Sequence, residues 1–179
     1  LNLSSTPSGN EAKWQIGTLE AGGYFIQSVE APNQYFNMRV DGTGLVGTYG
    51  SYSSSNGVFY FVDTAGNVLG DVPETPDIVD PIQGDCGVTD DGYYWERTGI
   101  VELPIVASTS KDPILYKIRN VRSGKYLKNV DDQLVQVAED GDNFYFSKNG
   151  DGYSILTEAG KHIMTNYPTN GEPLGLKKS

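Results

Sequence analysis

A chain of 179 residues can bury one core of ordinary size, and 37% hydrophobic with 11% aromatic residues excludes a disordered polymer. The net charge of −10, from 13 basic and 23 acidic side chains, repels nucleic acid and anionic membranes. No run approaches the roughly 18 apolar residues of a membrane-spanning helix, which argues against membrane insertion. Cys86 is the single cysteine, so no internal disulfide framework exists. A start at Leu1 without a signal-like stretch reads as a processed protein or as part of a longer chain.

In chain order, the first strands are predicted at Trp14-Gln15-Ile16 and, after Gly22-Gly23, at Tyr24-Phe25. A Gly/Ser/Tyr-rich run from Gly42 to Gly57 separates these from Phe59-Tyr60-Phe61. The stretch from Gly70 to Leu115 is acidic and rich in proline (Pro73, Pro76, Pro81, Pro104, Pro113), yet Tyr93-Tyr94-Trp95 and Ile100 to Leu103 have strand character. Beyond it, Leu115 to Val121 alternates with period two, and Ser123-Gly124 turns the chain into Lys125-Tyr126-Leu127. Further strands are expected at Leu134 to Val137, Asn143 to Ser147 and Tyr153 to Leu156, with His162-Ile163-Met164 closing the run.

These segments repeat. Trp14-Gln15-Ile16 followed by Gly22-Gly23-Tyr24-Phe25 matches Tyr116-Lys117-Ile118 followed by Gly124-Lys125-Tyr126-Leu127 at constant offset, and Phe59-Tyr60-Phe61 matches Phe144-Tyr145-Phe146. A four-stranded unit cannot cover its own apolar face, so a degenerate middle unit is expected between the copies. The expectation is a single all-β domain over 1–179 with units at about 12–69, 70–115 and 116–179. The alternative is two small β modules joined by an acidic, proline-rich linker.

The succession Tyr116 to Leu127, Phe144-Tyr145-Phe146, Gly152 to Leu156 and Gly160 to Ile163 resembles one unit of a β-trefoil of the ricin-B-type or fascin-like kind. That resemblance implies a six-stranded barrel capped by hairpins, with ligands held in surface pockets, one per unit. Two positions depart from the ricin-type pattern. Gly57 or Asp142 stands where the family has glutamine, and Ile26-Gln27 or Lys128-Asn129 stands where it has a sugar-binding aspartate.

A neutral sugar needs an aromatic face and a few fixed amides or carboxylates. Asn33, Gln34, Tyr35, Tyr49 and Tyr52 could supply that set in the first copy, and Asp131, Asp132 and Gln133 in the second. Arg119, Arg122, Lys125 and Lys128 bracket one tight turn and could take a sulfate, uronate or phosphate. A cysteine-hydrolase reading centred on Gln83-Gly84-Asp85-Cys86-Gly87, with His162 as base and Asn166 behind it, is disfavoured because the surrounding aspartates raise a thiol pKa. The aspartates from Asp77 to Asp91 lack the spacing of a calcium loop, so no metal and no cofactor is expected. The reading is therefore a non-catalytic carbohydrate-binding or interaction module of a secreted or surface protein, its partner a glycan or a surface protein. Kunitz-type protease inhibition and a structural tail of a larger enzyme are the rivals.

Overall fold

The computed structural model describes residues 9–19, 22–50, 55–70 and 102–165. Every regular element among them is a strand, apart from one 3-10 turn at Ser55–Gly57. The strands are β1 (Trp14–Thr18), β2 (Tyr24–Ser28), β3 (Tyr35–Met38), β4 (Val46–Tyr49), β5 (Phe59–Asp63), β6 (Val68–Leu69), β7 (Tyr116–Asn120), β8 (Tyr126–Val130), β9 (Gln133–Val137), β10 (Phe144–Asn149) and β11 (Gly152–Thr157).

Six of these strands close a barrel. β1, β2, β5, β7, β10 and β11 pair antiparallel in that order, and β11 returns to β1. Closure leaves the barrel without an exposed edge. Three long pairings, β1–β2, β5–β7 and β10–β11, are stitched together by the single pairs Tyr24↔Phe59, Tyr116↔Phe144 and Tyr153↔Trp14.

The register repeats threefold. Trp14 faces Ser28, Phe59 faces Asn120 and Phe144 faces Thr157, while Thr18, Asp63 and Lys148 face Tyr24, Tyr116 and Tyr153. Four rings of equivalent positions follow: Trp14/Phe59/Phe144, Ile16/Phe61/Phe146, Tyr24/Tyr116/Tyr153 and Ile26/Ile118/Ile155. All twelve residues belong to or pack on one hydrophobic cluster. Just past each long pairing the backbone repeats as well: Ser28, Asn120 and Thr157 donate their N–H groups to the carbonyls of Gln34, Lys125 and Lys161, each at 2.9 Å.

Inside the barrel the rings meet edge to face, Phe61 against Phe146 at 5.4 Å and Trp14 against Phe36 at 4.7 Å. Trp14 also donates its indole N–H to the Ile163 carbonyl at 2.9 Å, so its one polar atom is satisfied. A second apolar cluster lies on the outward-facing positions, where Phe25, Val58, Tyr60, Val62 and Val121 are buried. Phe59 to Val62 is therefore buried on both faces, which explains its unbroken apolar run.

Two hairpins, β3–β4 and β8–β9, project from the barrel and join each other. Leu45 pairs with Val135, and the Gln136 side-chain amide donates to the carbonyls of Arg39 and Leu45, both at 2.8 Å. Because strands of both sequence copies share one barrel and one core, the two-module alternative is overturned.

The structure also corrects the repeat read from sequence. Phe59 and Phe144 are equivalent, as the sequence match has them. Trp14, however, occupies the place of Phe59 and Phe144 rather than that of Tyr116, and Tyr24 matches Tyr116 rather than Tyr126. The reason is that both partners of an antiparallel pair present inward residues at spacing two, so a short aromatic-x-aliphatic pattern fits either strand. The third pairing of barrel neighbours outside the long hairpins, β11 with β1, is supplied from opposite ends of the described chain.

Residues 71–101, with Tyr93-Tyr94-Trp95, fall outside the described residues. The six barrel strands close without a strand from 70–115, which lies between β6 and β7 in sequence. Its returning arm packs back on the barrel: Ile105 is buried in the core, the Val106 N–H donates to the Tyr116 hydroxyl at 3.0 Å, and the Ser108 N–H donates to the Phe146 carbonyl at 2.8 Å. His162, expected within a closing strand, makes one isolated bridge to Leu156.

Phe61 is fully buried in the central stack, so Phe61→Ala is expected to cost about 3–5 kcal/mol. Tyr49→Ala, at a residue 48% exposed, should leave the urea unfolding midpoint nearly unchanged. Equal shifts for the two variants would contradict the packing described.

Candidate functional site

The predicted site residues divide between the two projecting hairpins. Tyr35 and Tyr49 face each other across β3–β4, with Tyr35 half-buried and edge-on to Phe25 at 5.7 Å, while Tyr49 is exposed. Asn33 is exposed in the preceding turn, Gln34 is buried, and Tyr52 lies outside the described residues. Asp131 and Asp132 are the two central residues of the β8–β9 turn, with left-handed φ of 49° and 65°. Aspartate tolerates this conformation, and a turn of this hand matches the strand twist. Asp132 is tied to Lys161 at 2.5 Å, while Asp131 and Gln133 are exposed.

Beside that turn lies a cleft of about 360 Å³, lined chiefly by Asn129, Asp142, Asn143, Thr157, Glu158 and Lys161. Asp142 is fixed from both sides. Its N–H donates to the Leu127 carbonyl at 3.0 Å, and its carboxylate accepts the Asn129 N–H at 2.8 Å. The Asn129 side-chain oxygen is buried and has no hydrogen-bond partner. A buried carbonyl oxygen in this state costs about 1–3 kcal/mol unless a donor reaches it.

The cleft sits where the threefold bonding breaks. The Val29 N–H donates to Lys13 and the Val121 N–H to Val58, each at 3.0 Å, and these bonds clamp the ends of two long pairings. At the third equivalent place, among the described residues, Glu158 makes no such bond to Asn143. Asn143 and Glu158 both line the cleft. In the unit bearing Asn120, the position of Thr157 is filled by an amide that donates to the carbonyls of Asn56 at 3.1 Å and Val58 at 2.8 Å. Thr157 is too short to do the same.

Of these residues, Asn129 and Asp142 were visible in sequence only as departures from the ricin-type pattern. Asn143, Glu158 and Lys161 gave no signal, since each is an ordinary polar residue near a turn. The cleft brings together carboxylates that can accept hydrogen bonds and, in Lys161 and the Asn143 amide, groups that can donate them.

The predicted cation set separates too. Arg122 and Lys125 are exposed, whereas Arg119 and Lys128 are half-buried. Cys86 and Asn166 lie outside the described residues, so the cysteine-hydrolase grouping has only His162 in view. His162 is half-buried with Nδ1 unpartnered, and burial holds its pKa below the ordinary 6.5.

No family model matches the chain, and no curated protein matches it in sequence. Among solved structures, a mosquitocidal holotoxin aligns over 97% of this chain with 15% identity and a TM-score of 0.32. The chain spans 23% of that toxin chain.

The lowered pKa of His162 sets a pH dependence. Above 6.5 the imidazole is neutral in both states; as pH falls below 6.5 the unfolded chain takes up a proton that the folded chain resists, so stability declines until the folded pKa is passed. Asp41, Asp63 and Asp151 act lower, their stabilisation persisting above 3.8 and fading as pH falls through their depressed values. The thermal unfolding midpoint is expected to fall between pH 7 and pH 5, and His162→Gln should flatten that interval while leaving the acid limb intact.

Proposed function

We propose that this chain is a β-trefoil acting as a non-catalytic carbohydrate-binding module of a secreted or surface protein. The threefold register supports the trefoil reading: three equivalent long pairings close one barrel, and hairpins emerge from one end of two of the units. The single observation that carries the binding reading is the carboxylate of Asp142, fixed by the Asn129 N–H, in an open polar cleft that Asn143, Thr157 and Lys161 also line. A sugar hydroxyl can donate to the Asp142 carboxylate while neighbouring hydroxyls accept from Lys161 or the Asn143 amide.

The arrangement also explains why one unit would bind and the others not. At the equivalent of Asp142 the other units have Gly57 and Ala12, neither of which offers an acceptor side chain. Asn129 stands where ricin-type modules carry a sugar-binding aspartate, and its amide can serve the same hydroxyl as acceptor or donor.

A panel of neutral oligosaccharides, titrated by calorimetry, tests the reading. One or more should bind, and Asp142→Ala or Asn129→Ala should each weaken that binding tenfold or more, equivalent to about 1.4 kcal/mol. Tyr49→Ala should leave the affinity unchanged. Silence across the whole panel at millimolar sugar, with the protein folded, would sink the proposal.

A further inference from the structure

Lys117 and Arg119 alternate with the inward-facing Tyr116 and Ile118 along β7, which places both cations on the outer wall of the barrel. Lys117 Nζ donates to the Gly141 carbonyl at 2.7 Å and lies 5.9 Å from the centre of the Tyr126 ring. The Arg119 guanidinium sits between two rings, 5.0 Å from Tyr126 and 5.6 Å from Tyr60, and its Nε donates to the Gly124 carbonyl at 2.6 Å. Both side chains are half-buried and held in place.

Neither has an anionic partner among the described residues. The ion pairs there join Lys13 to Asp151, Arg39 to Asp41 and Lys161 to Asp132. Each of the two cations spends one donor on a carbonyl, and an ammonium has three donors and a guanidinium five. Partly desolvated cations with spare donors, packed on tyrosine faces, bind an oxyanion more strongly than solvated lysines do. Their pairing is notable in a chain of net charge −10, where carboxylates are plentiful.

The cluster adjoins the cleft through a shared residue. Gly141, whose carbonyl holds Lys117, also lines the cleft. It cannot carry a side chain, because a Cβ there would lie 2.3 Å from the Tyr126 Cβ. Asp142 and Glu158 disfavour an anionic group within the cleft itself, so a charged substituent belongs on the Lys117 side of Gly141. We propose that the ligand is a sulfated glycan, with an uncharged ring in the Asp142 cleft and a sulfate ester on Lys117 and Arg119. This rests on the cleft being a glycan site.

The test compares two galactans of equal length, a neutral agarose-derived hexasaccharide and a sulfated carrageenan-derived one, by calorimetry at two salt concentrations. The sulfated form should bind at least tenfold tighter, and Lys117→Gln and Arg119→Gln should remove that advantage without changing affinity for the neutral form. Each variant should also make the logarithmic salt dependence shallower by about one ion. Arg119 is packed, so Lys117→Gln decides the matter if the Arg119 variant does not fold. Equal affinity for the two galactans, or an unchanged preference in Lys117→Gln, overturns the sulfate site and leaves the cleft reading standing. Binding of neither galactan, together with silence across the neutral panel, overturns the cleft reading and this inference with it.

Discussion

Closing six strands into a barrel requires that every neighbouring pair keep its register, since a slip of one residue would turn all of a strand's inward side chains outward. The chain meets this by repeating one pairing three times, with an aromatic at the start of one strand and a tyrosine at the start of its partner. The single pairs Tyr24↔Phe59, Tyr116↔Phe144 and Tyr153↔Trp14 then fix the three pairings to each other. Everything else hangs on that ring: the edge-to-face stack fills it, and the projecting hairpins take their position from the strand ends.

The proposed site lies where the repetition fails rather than where it holds. Two of the three equivalent places are clamped by a backbone bond, and at one of them Asn120 fills the space with its own amide. At the third the bond is absent among the described residues, Thr157 replaces the amide, and Asp142 replaces glycine or alanine. Each change alone is minor. Together they turn a closed strand junction into an open polar cleft, which is how one scaffold can carry a site in a single unit.

Charge is distributed with the same asymmetry. Lys117, Arg119, Arg122, Lys125 and Lys128 lie on β7, β8 and the turn between them, and two of these are ordered by tyrosine faces and carbonyls instead of carboxylates. The acidic balance of the chain as a whole therefore says little about the surface next to the cleft. A net charge describes long-range steering, while recognition depends on which donors are held in place and unpaired.

The sequence alone determined the all-β class, the inward aromatics and the recurrence of Phe59-Tyr60-Phe61 as Phe144-Tyr145-Phe146, because alternation and turn chemistry are local properties. It misplaced Trp14 and Tyr24 within the repeat, since period two marks a face and not a partner. It singled out Asp131 and Asp132, whose left-handed backbone makes them turn formers, and passed over Asn143, Glu158 and Lys161. Asn143 and Glu158 meet because they flank the paired ends of β10 and β11, and Lys161 joins them because the chain turns back after β11, where the Thr157 N–H donates to the Lys161 carbonyl. Local pattern decides which residues a strand presents; only closure of the barrel decides which of them meet, because that depends on register between strands the sequence does not place side by side.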